Sequence, residues 1–223
     1  MTVSRVTGYI APDGTASTRN ITIPPTAPGA SLVVAWWTTS GGTRTASGGG
    51  GSWGSAFDDS SSRATWVNKS VAPGTTSITL DNGGVNTHFT AVVLEVSGLD
   101  PLGSDYNSGT RADGTGTAFV TNTITPLKPA FVLVISQQAD GVSPTCSPAG
   151  GLTAPTDTGI TAGNVPNTNE GDCLFAEYAD VAAGPMTGAG TWGGSVTHHS
   201  WAVGFDLADA DDGTYQLTSD LYF

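Results

Sequence analysis

The segment Ala30-Ser-Leu-Val-Val-Ala-Trp-Trp-Thr38 decides the fold class of this chain. Its residues from Leu32 to Trp37 are all apolar and alternate between the two faces of a strand, so both faces are apolar. Such a strand lies inside a sheet that is covered on both sides, or is partly buried at an interface. Pro24, Pro25 and Pro28 precede it, where proline removes no hydrogen bond from a sheet ladder.

The rest of the chain has the composition of an all-β protein. Of its 223 residues 31 are Gly, charged residues make up 12%, and the strong helix former Glu occurs at three positions only. Short runs rich in Thr, Ser and Val, bounded by Gly, Pro, Asn and Asp, are typical of strands joined by turns. We predict these strands: Val3–Ile10, Ser17–Ile23, Ser31–Thr38, Arg63–Val71, Ser77–Leu80, His88–Val96, Ala118–Ile124, Phe131–Ser136, Leu174–Val181, His199–Leu207 and Thr214–Leu217.

The two halves of the chain contain similar segments in the same order, which indicates an internal duplication. The matched pairs are Ile23–Ala35 with Ile124–Ile135, Val71–Gly74 with Val181–Gly184, Asn82–His88 with Trp192–His198, and Val92–Val96 with Val203–Leu207. We therefore predict one domain over 1–223, with pseudo-repeats at about 17–100 and 118–208 and a C-terminal extension at 209–223. The expected fold is a double-sheet β-sandwich of jelly-roll type, and two small tandem sandwiches are the alternative.

The order of these segments resembles a duplicated β-sandwich module of tailed-phage virion proteins and bacterial surface proteins. The resemblance covers about residues 17–208, and Leu152 and Thr153 stand where the second repeat would be expected to carry a Trp. It implies a jelly-roll-like fold and a role in attachment or assembly, and it carries no functional residues over. The segments behind it are Ala30–Trp37, a Gly/Ser loop with Trp53, Arg63–Lys69, Ala91–Asp100 and Ser200–Phe205.

Charge and hydropathy exclude two classes of partner. Lys and Arg number 7 against 19 Asp and Glu, a net charge of −12, whereas nucleic-acid binding needs clustered cations. No apolar run reaches the ~18–20 residues that span a bilayer. The sequence starts at Met1 without a signal-peptide pattern, so we expect synthesis in a host cytoplasm and a final location on a phage particle.

Catalytic patterns are present but weak. Gly50–Gly54 fits the nucleophile-elbow pattern around Ser52, yet no helix signal follows it, and we interpret it as a flexible loop. Glu95 and Asp206 occupy matching positions and would suit a glycoside hydrolase only if they faced one cleft. We interpret them as outward-facing acids and predict that the protein is not an enzyme.

Metal and disulfide patterns are equally incomplete. His198 and His199 are adjacent in a strand and point to opposite faces, so together with His88 they do not predict a metal site. Asp209, Asp211 and Asp212 resemble the start of a calcium loop without its distal Glu, which leaves weak calcium binding as a minor option and no expected cofactor. Cys146 and Cys173 permit one disulfide without requiring it.

Aromatic residues supply the binding hypothesis. Trp36, Trp37 and Trp53 are candidates for stacking on sugar rings or on a partner protein, although Trp36, Trp66 and Trp201 also suit a core. The C-terminal segment is apolar enough to add a strand to a neighbouring protein. Its candidate assembly residues are Tyr215, Leu217, Leu221, Tyr222 and Phe223.

These patterns favour a structural protein of a tailed-phage virion, either a capsid decoration or a tail protein. It would act by protein–protein contacts, as a homo-oligomer and with other virion proteins. The alternative is a carbohydrate-binding or adhesin module on a particle or cell surface, with a glycan as partner.

Overall fold

The computed structural model describes residues 2–10, 15–138, 146–148, 164–167 and 172–209, with side chains for 15–138 and 181–209. These residues form antiparallel strands and no helix, which confirms the all-β prediction. The strands are β1 (Thr2–Ile10), β2 (Thr18–Thr22), β3 (Ala30–Thr38), β4 (Thr45–Ser47), β5 (Gly54–Asp58), β6 (Arg63–Asn68), β7 (Ser77–Asp81), β8 (Phe89–Ser97), β9 (Asp105–Asn107), β10 (Ala112–Val120), β11 (Ala130–Gln138), β12 (Cys146–Pro148), β13 (Asn164–Asn167), β14 (Asp172–Val181) and β15 (Ala189–Asp206).

The first half of the chain forms two sheets. A five-stranded sheet has the order β1-β8-β3-β6-β5, and a three-stranded sheet has the order β2-β7-β4. The strand predicted from the opening segment is the middle strand of the larger sheet. It pairs with β8 and β6 on its two sides, through the register Ala35 to Val92 and Ala35 to Thr65.

The second half forms one large sheet, whose strands have the same spatial order as the corresponding strands of the five-stranded sheet. Its main order is β10-β15-β11-β14-β13, and β9 and β12 also pair with β15. Strand β11 lies between β15 and β14, as β3 lies between β8 and β6. Within the described residues there are thus three antiparallel sheets, consistent with the predicted β-sandwich.

Strand β15 belongs to two layers. Between the pairs Gly116–Val196 and Ala118–Thr191 its partner β10 advances two residues while β15 advances five. The extra residues include Gly193 and Gly194, and glycine favours such an irregularity because it has no Cβ. Trp192 and Val196 from the first part of β15 pack with Val132 and Val134 of β11, so this part lies over the outer face of the sheet that the second part of β15 helps to form.

Three apolar clusters hold the layers together. In the central cluster the odd-numbered face of β3 meets the large sheet of the second half, including Phe131, Leu133 and Trp201. In a second cluster the even-numbered face of β3 packs against the three-stranded sheet, including Ile21 and Ile78. The third cluster lies under the bend of β15. The two apolar faces of the Ala30–Thr38 segment therefore pack in two different clusters.

The two halves are aligned, so the molecule has two distinct ends. Trp201 Nε1 donates a 3.0 Å hydrogen bond to Thr65 Oγ1 across the central cluster. We call the end where β3 and β11 begin the Trp53 end, and it also carries residues 98–104 and 207–209. We call the opposite end, where β3 and β11 finish and β6 begins, the Asp59 end.

Candidate functional site

The Asp59 end contains a network of buried charges built on a tight turn before β6. Asp59 Oδ1 accepts 2.9 Å hydrogen bonds from the backbone N–H groups of Ser61, Ser62 and Arg63. Its Oδ2 accepts from Arg63 Nη1 at 3.2 Å and from Arg111 Nη1 at 2.8 Å. One carboxylate therefore fixes the turn and binds two guanidinium groups, one at the start of β6 and one directly before β10.

The network continues into the second half through two arms. Arg63 donates from Nε and Nη2 to Gln137 Oε1 on β11, at 2.8 and 2.6 Å. Arg111 Nε donates to Asp113 Oδ1 at 2.7 Å, and His199 Nδ1 lies 2.7 Å from the same oxygen. The network joins the two halves at this end through side chains from β6, β10, β11 and β15.

The pKa shifts describe how burial and pairing compete in this network. Burial raises the pKa of Asp59, but the hydrogen bonds from Arg63, Ser62 and Ser61 and the charge of Arg63 outweigh it, so the pKa lies well below its ordinary value. Burial lowers the pKa of His199 by more than its hydrogen bond to Asp113 raises it. A His199 with a lowered pKa is neutral at pH 7 and donates its Nδ1–H to Asp113.

Opposite charges balance within this network. Arg44, almost fully buried, pairs with Asp58 and lies 3.6 Å from Asp59 Oδ1, so three arginines meet three aspartates at this end. Most of these charged groups pair with one another, whereas Arg44 Nε and Nη1 are buried without a hydrogen-bond partner in the described part of the chain. The arrangement suits a structural joint between halves more than a reaction centre.

The Trp53 end carries the second candidate site, an open groove beside the glycine loop. Gly48, Gly49, Gly50 and Gly51 all have positive φ, between 64° and 95°. This left-handed run is accessible to glycine and strained for other residues. The expected flexible loop is in fact tied down by hydrogen bonds to three successive carbonyls, from Trp53 Nε1 at 2.8 Å, Ala72 N at 2.7 Å and Asn68 Nδ2 at 2.6 Å.

The groove encloses about 480 Å³ and combines one aromatic ring with polar side chains. Trp53 is half-buried and packs against the second apolar cluster on one side. Across the groove Lys69 Nζ lies 2.7 Å from Asp105 Oδ1 and donates to Gly103 O at 2.6 Å. The residues that line it are Gly51, Ser52, Trp53, Gly54, Val67, Lys69, Ser70, Pro101 and Asp105.

Of the three tryptophans predicted to bind, two are buried. Trp36 is 0% exposed and packs against Phe89 at a ring-centroid distance of 5.6 Å, and Trp37 is 5% exposed. Their rings are not accessible to a sugar or partner, because both faces of β3 are covered. Trp53 alone of the three reaches the surface.

The two matched carboxylates are also buried, contrary to the prediction that they face outward. Glu95 Oε1 accepts a 3.0 Å hydrogen bond from Ala27 N. Asp206 accepts from Ser104 N at 2.9 Å and from Tyr106 OH at 2.8 Å. Each one holds a loop at the Trp53 end, which explains why an acid occurs at the end of an apolar strand.

In the described part of the chain no group of three or more His, Cys, Asp or Glu is placed to hold an ion. His198 packs against Phe119, and His199 pairs with Asp113, on opposite faces of β15. Asp209 is exposed. Asp211, Asp212 and the five predicted assembly residues Tyr215, Leu217, Leu221, Tyr222 and Phe223 lie outside the described residues.

Sequence reasoning missed both polar clusters. Asp59, Arg63, Arg111 and Asp113 carry no motif spacing, and they meet only because β6 and β10 begin at the same end of the molecule. Lys69 and Asp105 are likewise brought together by the crossover after β8.

Comparison of the chain with protein-family models, characterised proteins and solved structures finds no match. The described part of the chain also contains no helix with the length and apolarity of a membrane span.

Proposed function

We propose that this chain is a non-enzymatic structural protein of a tailed-phage virion, a capsid decoration or a tail protein, which acts by protein–protein assembly. The strand succession supports the duplicated jelly-roll part of this proposal. In the first half β1-β8-β3-β6 faces β2-β7-β4, an order that fits two interlocked Greek keys, and the second half follows it. Jelly rolls of this kind are common in viral capsid proteins.

The observation that carries the assembly role is the distribution of exposed apolar side chains. Leu102 is 95% exposed and Leu127 is 78% exposed, the two largest values among the large apolar residues described. Both lie on turns at the Trp53 end. Leu102 N donates to Asp100 Oδ1 at 2.9 Å, and the turn of Leu127 is held by the bond from Gly184 N to Pro126 O at 2.8 Å.

Exposed leucine side chains on fixed turns suit a contact with another protein, because such a contact buries apolar area with little loss of conformational entropy. The buried charge network supports the same role from the opposite end, since it holds the two halves in one orientation. A scaffold that presents one apolar end is suited to repeated contacts in a particle, with further copies of itself and with other virion proteins.

The test is incorporation into particles. Mass spectrometry of purified virions should detect the chain, and the double variant Leu102→Asp with Leu127→Asp should reduce its occupancy at least about tenfold, a loss of roughly 1.4 kcal/mol or more in binding. Both side chains are exposed, so the free energy of unfolding of the isolated variant should lie within about 0.5 kcal/mol of the wild-type value.

Val85→Asp is the matched control, because Val85 is an exposed apolar residue on the turn between β7 and β8, away from this end. It should load at wild-type occupancy. Virions that lack the chain, or a double variant that loads normally, would contradict the proposal.

A further inference from the structure

We infer that the groove beside Trp53 binds a neutral hexopyranose glycan. This inference does not depend on the assembly role, because the groove residues Trp53, Lys69 and Asp105 are distinct from Leu102 and Leu127.

The first argument is the way in which the ring of Trp53 is held. Its Nε1–H is already bonded to Gly48 O at 2.8 Å, and part of the ring packs against the second apolar cluster. The indole therefore has a fixed orientation before any ligand arrives, which reduces the entropy lost on binding. Gly51 and Gly54 flank it in the groove, so no neighbouring side chain from these positions covers its surface. A fixed flat ring suits the C–H face of a pyranose.

The second argument is the polar rim. The ammonium group of Lys69 supplies donors and the carboxylate of Asp105 supplies acceptors, 2.7 Å apart. Neighbouring hydroxyl groups of a sugar present a donor and an acceptor at a similar spacing, so one sugar edge can bond to both side chains. Ser52 and Ser70 add hydroxyls to the same groove. An apolar wall with a few convergent polar groups is the usual character of a small-ligand site.

Charge favours a neutral glycan over an acidic one. The charge of Lys69 is balanced by Asp105, and the whole chain carries −12. An anionic sugar therefore meets net repulsion instead of attraction. A protein partner fits the groove less well, because the exposed leucines that would anchor it do not line the groove.

The experiment titrates the full chain with maltohexaose, cellohexaose and N-acetylchitohexaose by calorimetry. At least one should bind. Trp53→Ala should weaken that binding at least about tenfold. Trp53→Phe, which keeps a ring but loses the hydrogen bond to Gly48 O, should weaken it less than Trp53→Ala. Asp105→Asn should also weaken binding. Because the Asp105 side chain is partly exposed, this substitution should change the stability of the protein least. Hexagalacturonate, which is anionic, should bind at least about tenfold more weakly than the neutral probe.

Any of three results would overturn the inference: no binding of the three neutral probes, equal binding by Trp53→Ala and wild type, or tighter binding of hexagalacturonate. Self-association abolished by Trp53→Ala without saccharide binding would assign the groove to a second copy instead. Trp53→Ala should still enter virions, which separates failure here from failure of the assembly proposal.

Discussion

The two ends of this molecule differ in which side chains are buried. At the Asp59 end, long charged side chains are taken out of water and paired with one another across the two halves. At the Trp53 end, apolar side chains are left in water, on turns that backbone hydrogen bonds hold in place. At the Asp59 end, the cost of burying charged side chains is offset by ion pairs. At the Trp53 end, no apolar group within the described residues covers the exposed leucines.

Buried ion pairs and exposed leucines should contribute differently to stability and to binding. A paired buried charge specifies one geometry, because its partner must stay within hydrogen-bonding distance. An exposed leucine specifies no internal geometry and adds little to stability. We therefore expect substitutions of the buried charges at the Asp59 end to change stability, and substitutions of the exposed leucines at the Trp53 end to change binding.

The largest effect should follow from Asp59→Asn. The amide oxygen can still accept from the turn, but Arg63 and Arg111 lose their shared countercharge in a buried setting. We expect the free energy of unfolding to fall by about 3–5 kcal/mol, measured by urea denaturation.

Asp113→Asn is the control for that variant, because the Asp113 side chain is 54% exposed although it also binds Arg111. It should cost less than about 1 kcal/mol. Equal losses in the two variants would mean that burial does not distinguish these carboxylates.

A second comparison concerns two glycines at the Trp53 end with nearly the same backbone. Gly74 has φ +78° and open space at its Cβ position, so Gly74→Ala should cost about 1–2 kcal/mol for conformation alone. Gly51 has φ +65°, but an added Cβ would lie 2.6 Å from Ser70 O. Gly51→Ala should therefore cost at least about 1 kcal/mol more in thermal unfolding. If both cost the same, the glycine loop is not held against β6.

The smallest effect should be the dependence of stability on pH near neutrality. Because burial lowers the pKa values of His198 and His199 in the folded chain, the unfolded chain takes up protons first as the pH falls below about 6.5. The free energy of unfolding should therefore decrease from pH 7 to pH 5. His199→Gln should flatten part of this slope, and an unchanged slope would contradict the assignment.

Acidification below about pH 3.9 should destabilise the protein further. The lowered pKa of Asp59 contributes stability above that pH, and this contribution is lost as the pH falls toward the folded pKa. Asp59→Asn should lack this additional loss in acid denaturation.

The prediction from sequence succeeded where local pattern is enough. The alternating apolar residues of β3 predicted a strand covered on both sides, and its bounds differ from the prediction by one residue. It failed where glycine interrupts the pattern: β15 begins at Ala189, ten residues before the prediction, because Gly190, Gly193 and Gly194 have low strand propensity.

The candidate sites depend even more on contacts that local sequence patterns do not predict. Trp53 was identified because an exposed aromatic next to glycines is a local feature. The choice among Trp36, Trp37 and Trp53 required knowledge of what covers β3. Arg63 and Gln137 are 74 positions apart, and their contact depends on the packing of two sheets that no spacing rule specifies.

The continuity of β15 has a mechanical consequence. In the first half the outer and inner layers are served by separate strands, β7 and β8, with a turn between them, whereas β15 runs through both layers without a break. Tension along this strand is resisted in shear by its ladders with β10, β11 and β12 together, because ladder hydrogen bonds lie across the strand direction. The second half should therefore withstand pulling better than the first.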